Sequence, residues 1–135
     1  MPAIKITKPV QNGSLARQDT TPPMAGPIEG TVDLDKDATN PTVRGGLFRS
    51  DFIPTSTIPA MTQSGRIKPD GSGFDFAGLP IPGDLTNDCQ VIVWLRWRQG
   101  TSPGAPQKVD FDTLKGYPPL NFFQRNFPYI ILGYR

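Results

Sequence analysis

The chain has 135 residues, enough for one domain with one hydrophobic core. It contains fourteen basic and twelve acidic residues, one cysteine and no histidine. A formal charge of +2 gives no reason to expect nucleic-acid binding, and one cysteine excludes an intrachain disulfide. The lack of histidine excludes Ser-His-Asp and Cys-His catalytic sites and a His-ligated zinc within this chain.

The composition favours strands and turns over helices. Fourteen glycines and sixteen prolines occur beside eight Phe, two Trp and three Tyr, which predicts a folded, loop-rich β domain with short strands. Glu29 is the only glutamate among the twelve acids, and aspartate favours turns where glutamate favours helices.

The first half of the chain contains three predicted strands. Residues 3–7 (AIKIT) alternate and end before a proline, which is typical of an edge strand. Residues 20–27 (TTPPMAGP) are predicted to be a loop, because proline is excluded from a sheet interior. Residues 28–34 alternate again, and residues 42–53 predict a third strand with a bulge or kink at Gly45-Gly46.

The second half predicts a strong turn at residues 68–73 (KPDGSG) and a central strand at residues 90–98 (QVIVWLRWR). In that strand Val91, Val93, Leu95 and Trp97 face one way, and Ile92, Trp94, Arg96 and Arg98 face the other. Further strand patterns cover residues 56–67, 74–79, 108–114 and 129–134. Seven or eight short strands with long Pro/Gly-rich loops predict an all-β sandwich that occupies residues 1–135 as a single domain.

Two segments resemble the immunoglobulin-like domains of bacterial surface and phage proteins. Residues 4–13 (IKITKPVQNG) are similar to the first strand and turn of those domains. Residues 69–80 (PDGSGFDFAGLP) resemble their central hairpin, and an apolar strand follows at the expected distance. The resemblance implies an immunoglobulin-like β-sandwich that works as a spacer, an adhesion unit or a capsid or tail decoration, and not as an enzyme.

The segment VDLDKDATN places Asp33, Asp35 and Asp37 at alternate positions, like the start of a calcium loop. An EF-hand would need glycine at the sixth position and glutamate at the twelfth. Ala38 and Arg44 occupy those positions, so the EF-hand is rejected. We expect a solvated acidic turn, with an irregular calcium site of oxygen ligands as the alternative.

Trp94, Arg96 and Arg98 share one face of the central predicted strand. A tryptophan beside two guanidinium groups can stack on a base or a sugar, which would make this a ligand-binding face. Two other interpretations stay open: a subunit interface, where Trp and Arg are enriched, or burial of Trp94 under a loop of the same chain.

The C-terminal part of the chain is rich in aromatic residues, namely Phe122, Phe123, Phe127, Tyr129 and Tyr134. They either fill the core or form a surface that docks on a partner or on another copy. Residues 116–135 are therefore predicted to be a docking arm together with the last strand.

Asp70, Asp75, Asp84 and Asp88 invite a comparison with the paired carboxylates of glycoside hydrolases. Each lies in or beside a predicted turn, where aspartate is expected for structural reasons. A carboxylate hydrolase is therefore the least favoured of the three functional classes.

The sequence predicts a non-enzymatic structural or binding subunit of a repetitive assembly, with a phage virion accessory protein (decoration or tail) as the leading setting. The alternative is a small carbohydrate-binding, lectin-like module that calcium assists; otherwise no cofactor is expected. Protein partners or self-association are expected, in a virion or in the cytoplasm. The N-terminus has no signal-peptide pattern, and no apolar run reaches the ~20 residues of a membrane span.

Overall fold

A computed structural model describes residues 2–10, 14–18, 20–49, 51–82, 89–100, 104, 106–116 and 129–131. Within these residues the chain forms twelve strands and no helix, which confirms the predicted all-β class but exceeds the predicted seven or eight strands. The strands are β1 (Ala3–Lys8), β2 (Ser14–Gln18), β3 (Met24–Gly26), β4 (Ile28–Asp33), β5 (Ala38–Arg49), β6 (Gln63–Ser64), β7 (Arg66–Ile67), β8 (Gly73–Phe76), β9 (Leu79–Pro80), β10 (Cys89–Gln99), β11 (Gln107–Gly116) and β12 (Tyr129–Ile131).

The strands form three four-stranded antiparallel sheets. The first sheet has the order β1-β4-β8-β7, the second β11-β10-β5-β6 and the third β12-β2-β3-β9. All three sheets contribute to one core of buried apolar side chains. The described residues contain no helical segment that is long and apolar enough to span a membrane.

The first and second sheets are joined along both of their edges. On one side Gly65 separates β6 from β7, and its N–H donates to the Val43 carbonyl oxygen at 2.9 Å. On the other side the Ile6 N–H donates to Asp112 Oδ2 at 2.7 Å, beside the point where the β1–β4 register shifts. The carboxylate thus supplies an acceptor for the β1 backbone at the junction of the two sheets.

Strand β10 is the centre of the second sheet and pairs with β5 and β11 along most of its length. Val91, Val93, Leu95 and Trp97 lie in the shared core, as the alternation predicted. Cys89, at the start of the strand, is fully buried in the same core, as expected for a small apolar side chain. We call the opposite side, which carries residues 90, 92, 94, 96 and 98, the outer face of the second sheet.

The first half differs from prediction in several details: β2 was not predicted, and β5 covers residues 38–49 instead of 42–53. Met24–Gly26 is not a loop but the short strand β3 between β2 and β9, because the prolines flank these three residues and do not interrupt them. A Cβ at Gly26 would lie 2.6 Å from the Ala77 carbonyl oxygen, so only glycine allows this close approach of two backbones.

The predicted bulge at Gly45-Gly46 is also wrong. Both glycines pair regularly with Val93 and Ile92, and the register shift lies between Arg96 and Arg98 instead. The shift accommodates Pro41, which lacks an N–H for the ladder. The preceding Asn40 has a positive φ of 52°, a conformation that asparagine tolerates.

Strand β11 is turned so that its acidic side chains share the inner face of the second sheet. Asp110 and Asp112 lie opposite Leu95 and Val93, whereas Phe111 lies opposite Trp94. Phe111 consequently stands on the outer face, where it is 37% exposed. This sorting moves carboxylates away from the outer face and leaves an aromatic ring on it.

Candidate binding surface on the outer face of the second sheet

One half of the outer face is covered by residues 51–62, which we call the cover segment. This segment contains no strand. A strand was predicted over residues 56–67, but only the short strands β6 and β7 form there, after the cover segment. Gln90, Ile92 and Trp94 lie beneath it, and all three have no exposed surface.

Polar groups of the covered half bind the chain that overlies them. The Trp94 indole N–H donates to the Thr55 carbonyl oxygen at 2.8 Å. Gln90 Nε2 donates to the carbonyl oxygens of Arg49 at 2.9 Å and of Phe52 at 2.7 Å. A buried indole or amide would be costly without such partners, so these bonds fix the cover segment in place.

Aromatic packing and one arginine complete the attachment. The rings of Phe48 and Phe52 stack with centroids 4.6 Å apart, and Phe48 also meets Trp94 edge-on at 5.7 Å. At the other end of the segment the Arg44 guanidinium donates to Thr62 through Nε and Nη2 and to Ser64 through Nη1.

The other half of the outer face is open to solvent. It comprises Thr42, Arg96, Arg98, Val109 and Phe111, which we call the open face. Arg96 lies between Thr42 on β5 and Val109 on β11, and Phe111 lies diagonally across from it. Both arginines are exposed, and within the described residues neither has a carboxylate in salt-bridge distance.

The three residues predicted to share one ligand or interface face are therefore divided. Trp94 belongs to the covered half, and Arg96 and Arg98 belong to the open face. Sequence reasoning missed Phe111 as the exposed aromatic beside the arginines. Its alternation with Asp110 and Asp112 is visible in the sequence, but the pairing with β10 that places it there is not.

The acidic segment forms the connection from β4 to β5. Asp33 ends β4, and the turn falls at Lys36 and Asp37. The carbonyl oxygens of Asp35 and Asp37 accept backbone N–H bonds from Ala38 and Gly100, both at 3.1 Å. Nowhere in the described ranges do three or more Cys, Asp or Glu side chains come together in a way that could hold a metal ion.

The predicted docking residues Phe122, Phe123, Phe127 and Tyr134 lie outside the described residues. For Tyr129 only the backbone is described; it begins β12 and pairs with Ala16.

Two of the four aspartates considered for hydrolysis have structural roles. Asp70 Oδ1 accepts bonds from the Ser72 N–H at 3.0 Å and the Ser72 hydroxyl at 2.7 Å, which lower the pKa of Asp70. The hydrogen bonds from Arg66 lower the pKa of Asp75. A general acid would need a raised pKa, so neither carboxyl is suited to that role. Asp84 and Asp88 lie outside the described residues.

A cleft of about 600 Å³ lies beside the cover segment. Its walls include Phe48, Phe52, Met61 and Ile81, together with the Arg49–Asp51 ion pair, whose Nη2 and Oδ2 atoms are 3.3 Å apart. The sequence did not predict this cleft, because it depends on how residues 51–62 fold back over β5.

Comparison with known proteins adds no relative to this description. No protein-family model matches the chain, and neither a curated protein nor a solved structure matches it significantly.

Proposed function

We propose that this protein is a non-enzymatic structural subunit of a repetitive assembly, with an immunoglobulin-like β-sandwich as its scaffold. A phage particle, with the chain as a decoration or tail accessory protein, is the setting that the sequence resemblance favours. The open face is the proposed contact surface. Self-association through this face is the form of the proposal that can be tested on the purified chain.

The contrast between the two halves of the outer face supports the proposal. In the covered half Gln90, Ile92 and Trp94 are fully buried within the chain itself. On the open face Phe111 keeps 37% of its surface exposed, and both arginines are exposed. Aromatic and arginine side chains on a flat surface are the residue types that protein interfaces favour.

The lectin-like alternative loses its main sequence argument. The sequence argument relied on Trp94, which would reach solvent only if the cover segment left the sheet, and Phe111 is the ring that the open face offers instead. We therefore favour protein contact over carbohydrate binding.

Light scattering tests the proposal over a concentration series, with and without millimolar calcium. We expect a calcium-independent mass above the 14.8 kDa of one chain. Phe111→Ser should lower that mass. Ile53→Ser is the matched control, because Ile53 is an apolar residue that is 80% exposed outside the open face. A monomer at every concentration, or a mass that changes only with calcium, would contradict the proposal.

A further inference from the structure

We infer that the open face binds a second copy of this chain by charge, with Arg96 and Arg98 contacting Asp33 and Asp37 of that copy. The inference rests on the proposed function and names the chemistry of the same contact surface.

The two arginines form a local positive surface that the near-neutral net charge of the chain conceals. They are two residues apart on one strand, so their Cα atoms are roughly 6.6–6.8 Å apart and both side chains point outward. Arg96 lies between Thr42 and Val109, and Arg98 lies between Thr39 and Gln107, so all four cross-strand neighbours are uncharged. Asp110 and Asp112 lie on the opposite face. Because no described carboxylate neutralises the guanidinium groups, this surface favours an acidic partner.

The same chain offers an acidic surface of matching character. Asp33 and Asp37 are both exposed; Asp33 ends β4, and Asp37 lies in the turn that leads to β5. Within the described residues neither forms a salt bridge with Arg96 or Arg98 of its own copy. Lys36 leaves the segment with a net negative charge, since three aspartates accompany one lysine.

The acidic turn and the arginines lie at the same end of the second sheet. The Asp37 carbonyl oxygen accepts the Gly100 N–H at 3.1 Å, and Arg98 lies opposite Thr39. Because the two oppositely charged surfaces are neighbours, two copies related by a two-fold axis can each place the acidic turn against the arginines of the other copy. The expected unit is therefore a reciprocal dimer.

A charge exchange between two variants tests this contact. The R96E/R98E variant has an acidic open face and an acidic turn, and the D33K/D37K variant has a basic open face and a basic turn. Like charges juxtaposed across the interface should raise the dimer dissociation constant of each variant by more than about 100-fold. An equimolar mixture restores both pairings, so it should form a heterodimer with an affinity within about tenfold of the wild type.

Sedimentation velocity with dilution series in 50 and 500 mM NaCl measures these constants, and circular dichroism checks that each variant is folded. Higher salt should weaken the wild-type dimer and the heterodimer alike. Failure of the folded variants to associate when mixed would overturn the inference. An oligomer that persists in R96E/R98E and in 500 mM NaCl but is lost in Phe111→Ser would overturn it too, while leaving the proposed function intact. A wild-type chain that stays monomeric would contradict the proposed function itself.

Discussion

The outer face of β10 is buried over the first half of the strand and exposed over the second half. At its start, Gln90, Ile92 and Trp94 have no exposed surface, because residues 51–62 lie over them. A few residues later, Arg96 and Arg98 stand in solvent with no intramolecular partner among the described residues. The strand and the alternation of its side chains continue through both halves, and only the pairing with β5 shifts register, between Arg96 and Arg98.

The difference shows that an overlying segment, distant in the sequence, decides together with strand alternation which part of a sheet face belongs to the core. At the covered end the Trp94 ring packs against Phe48 of β5, and the indole and amide N–H groups donate to carbonyl oxygens of the cover segment. Arginine side chains at the open end are compatible with solvent and with a partner. We therefore expect substitutions on the covered half to change stability and those on the open half to change association.

The largest effect should come from removing the centre of the covered half. Trp94→Ala should lower the free energy of unfolding by about 3–5 kcal/mol, as for other large aromatic truncations in a core. Urea unfolding followed by circular dichroism measures this change. Trp94→Phe keeps most of the ring volume and loses the bond to Thr55, so its effect should be clearly smaller. Equal, small effects of both variants would show that the cover segment does not depend on this ring.

A smaller loss is expected for Gln90→Leu. The substitution leaves the carbonyl oxygens of Arg49 and Phe52 without their donor, which should cost about 1–3 kcal/mol of unfolding free energy. The change also removes Gln90 Oε1, which is buried and accepts no hydrogen bond within the described residues. The loss of unfolding free energy should therefore lie toward the lower end of that range.

Gln107→Leu is the matched control for Gln90→Leu, because Gln107 is exposed and lies opposite Arg98 on the same face. We expect its unfolding free energy to stay within about 0.5 kcal/mol of the wild type. If the two glutamine variants lost the same stability, the distinction between the halves would be wrong.

Arg44→Met tests the far attachment of the cover segment. Its guanidinium bonds to Thr62 and Ser64 would be lost, and we expect a decrease of about 1–2 kcal/mol in unfolding free energy. Thermal unfolding of Arg44→Met and Arg98→Met should separate them, since Arg98 makes no such bonds in the described structure. A larger loss in Arg98→Met would contradict the assignment of Arg98 to the open face.

The smallest stability effect is expected for Arg96→Ser together with Arg98→Ser. Exposed side chains without partners contribute little to folding, so the unfolding free energy should change by no more than about 0.5 kcal/mol. If the open face is a contact surface, the average mass of the same double variant in light scattering should be lower than that of the wild type. A double variant that associates like the wild type but has a lower unfolding free energy would contradict both expectations.

The sequence predicted the parts of the fold that local pattern determines. Strand β10 was recognisable because apolar residues occupy every second position from 91 to 97. The turn at residues 68–73 was recognisable because Pro, Asp and Gly occur together there. Strand β3 was missed because three residues between prolines are too short to show a period.

Long-range pairing is what local pattern could not supply. Whether Trp94 is buried depends on Thr55, which lies 39 positions away in the sequence. The outward position of Phe111 depends on the register of β11 with β10. The inward position of Asp112 lets its carboxylate accept the N–H of Ile6, which belongs to a different sheet. The prediction therefore placed Trp94, Arg96 and Arg98 on the correct side of the strand, but it could not tell which of them is covered and which are exposed.

The most direct test is the solution mass of the wild-type chain and of the Arg96→Ser, Arg98→Ser double variant, measured by light scattering in one concentration series. We expect the wild type to exceed one chain mass and the folded variant to fall toward 14.8 kDa. Equal masses for the two proteins at every concentration would contradict a role of these arginines in association.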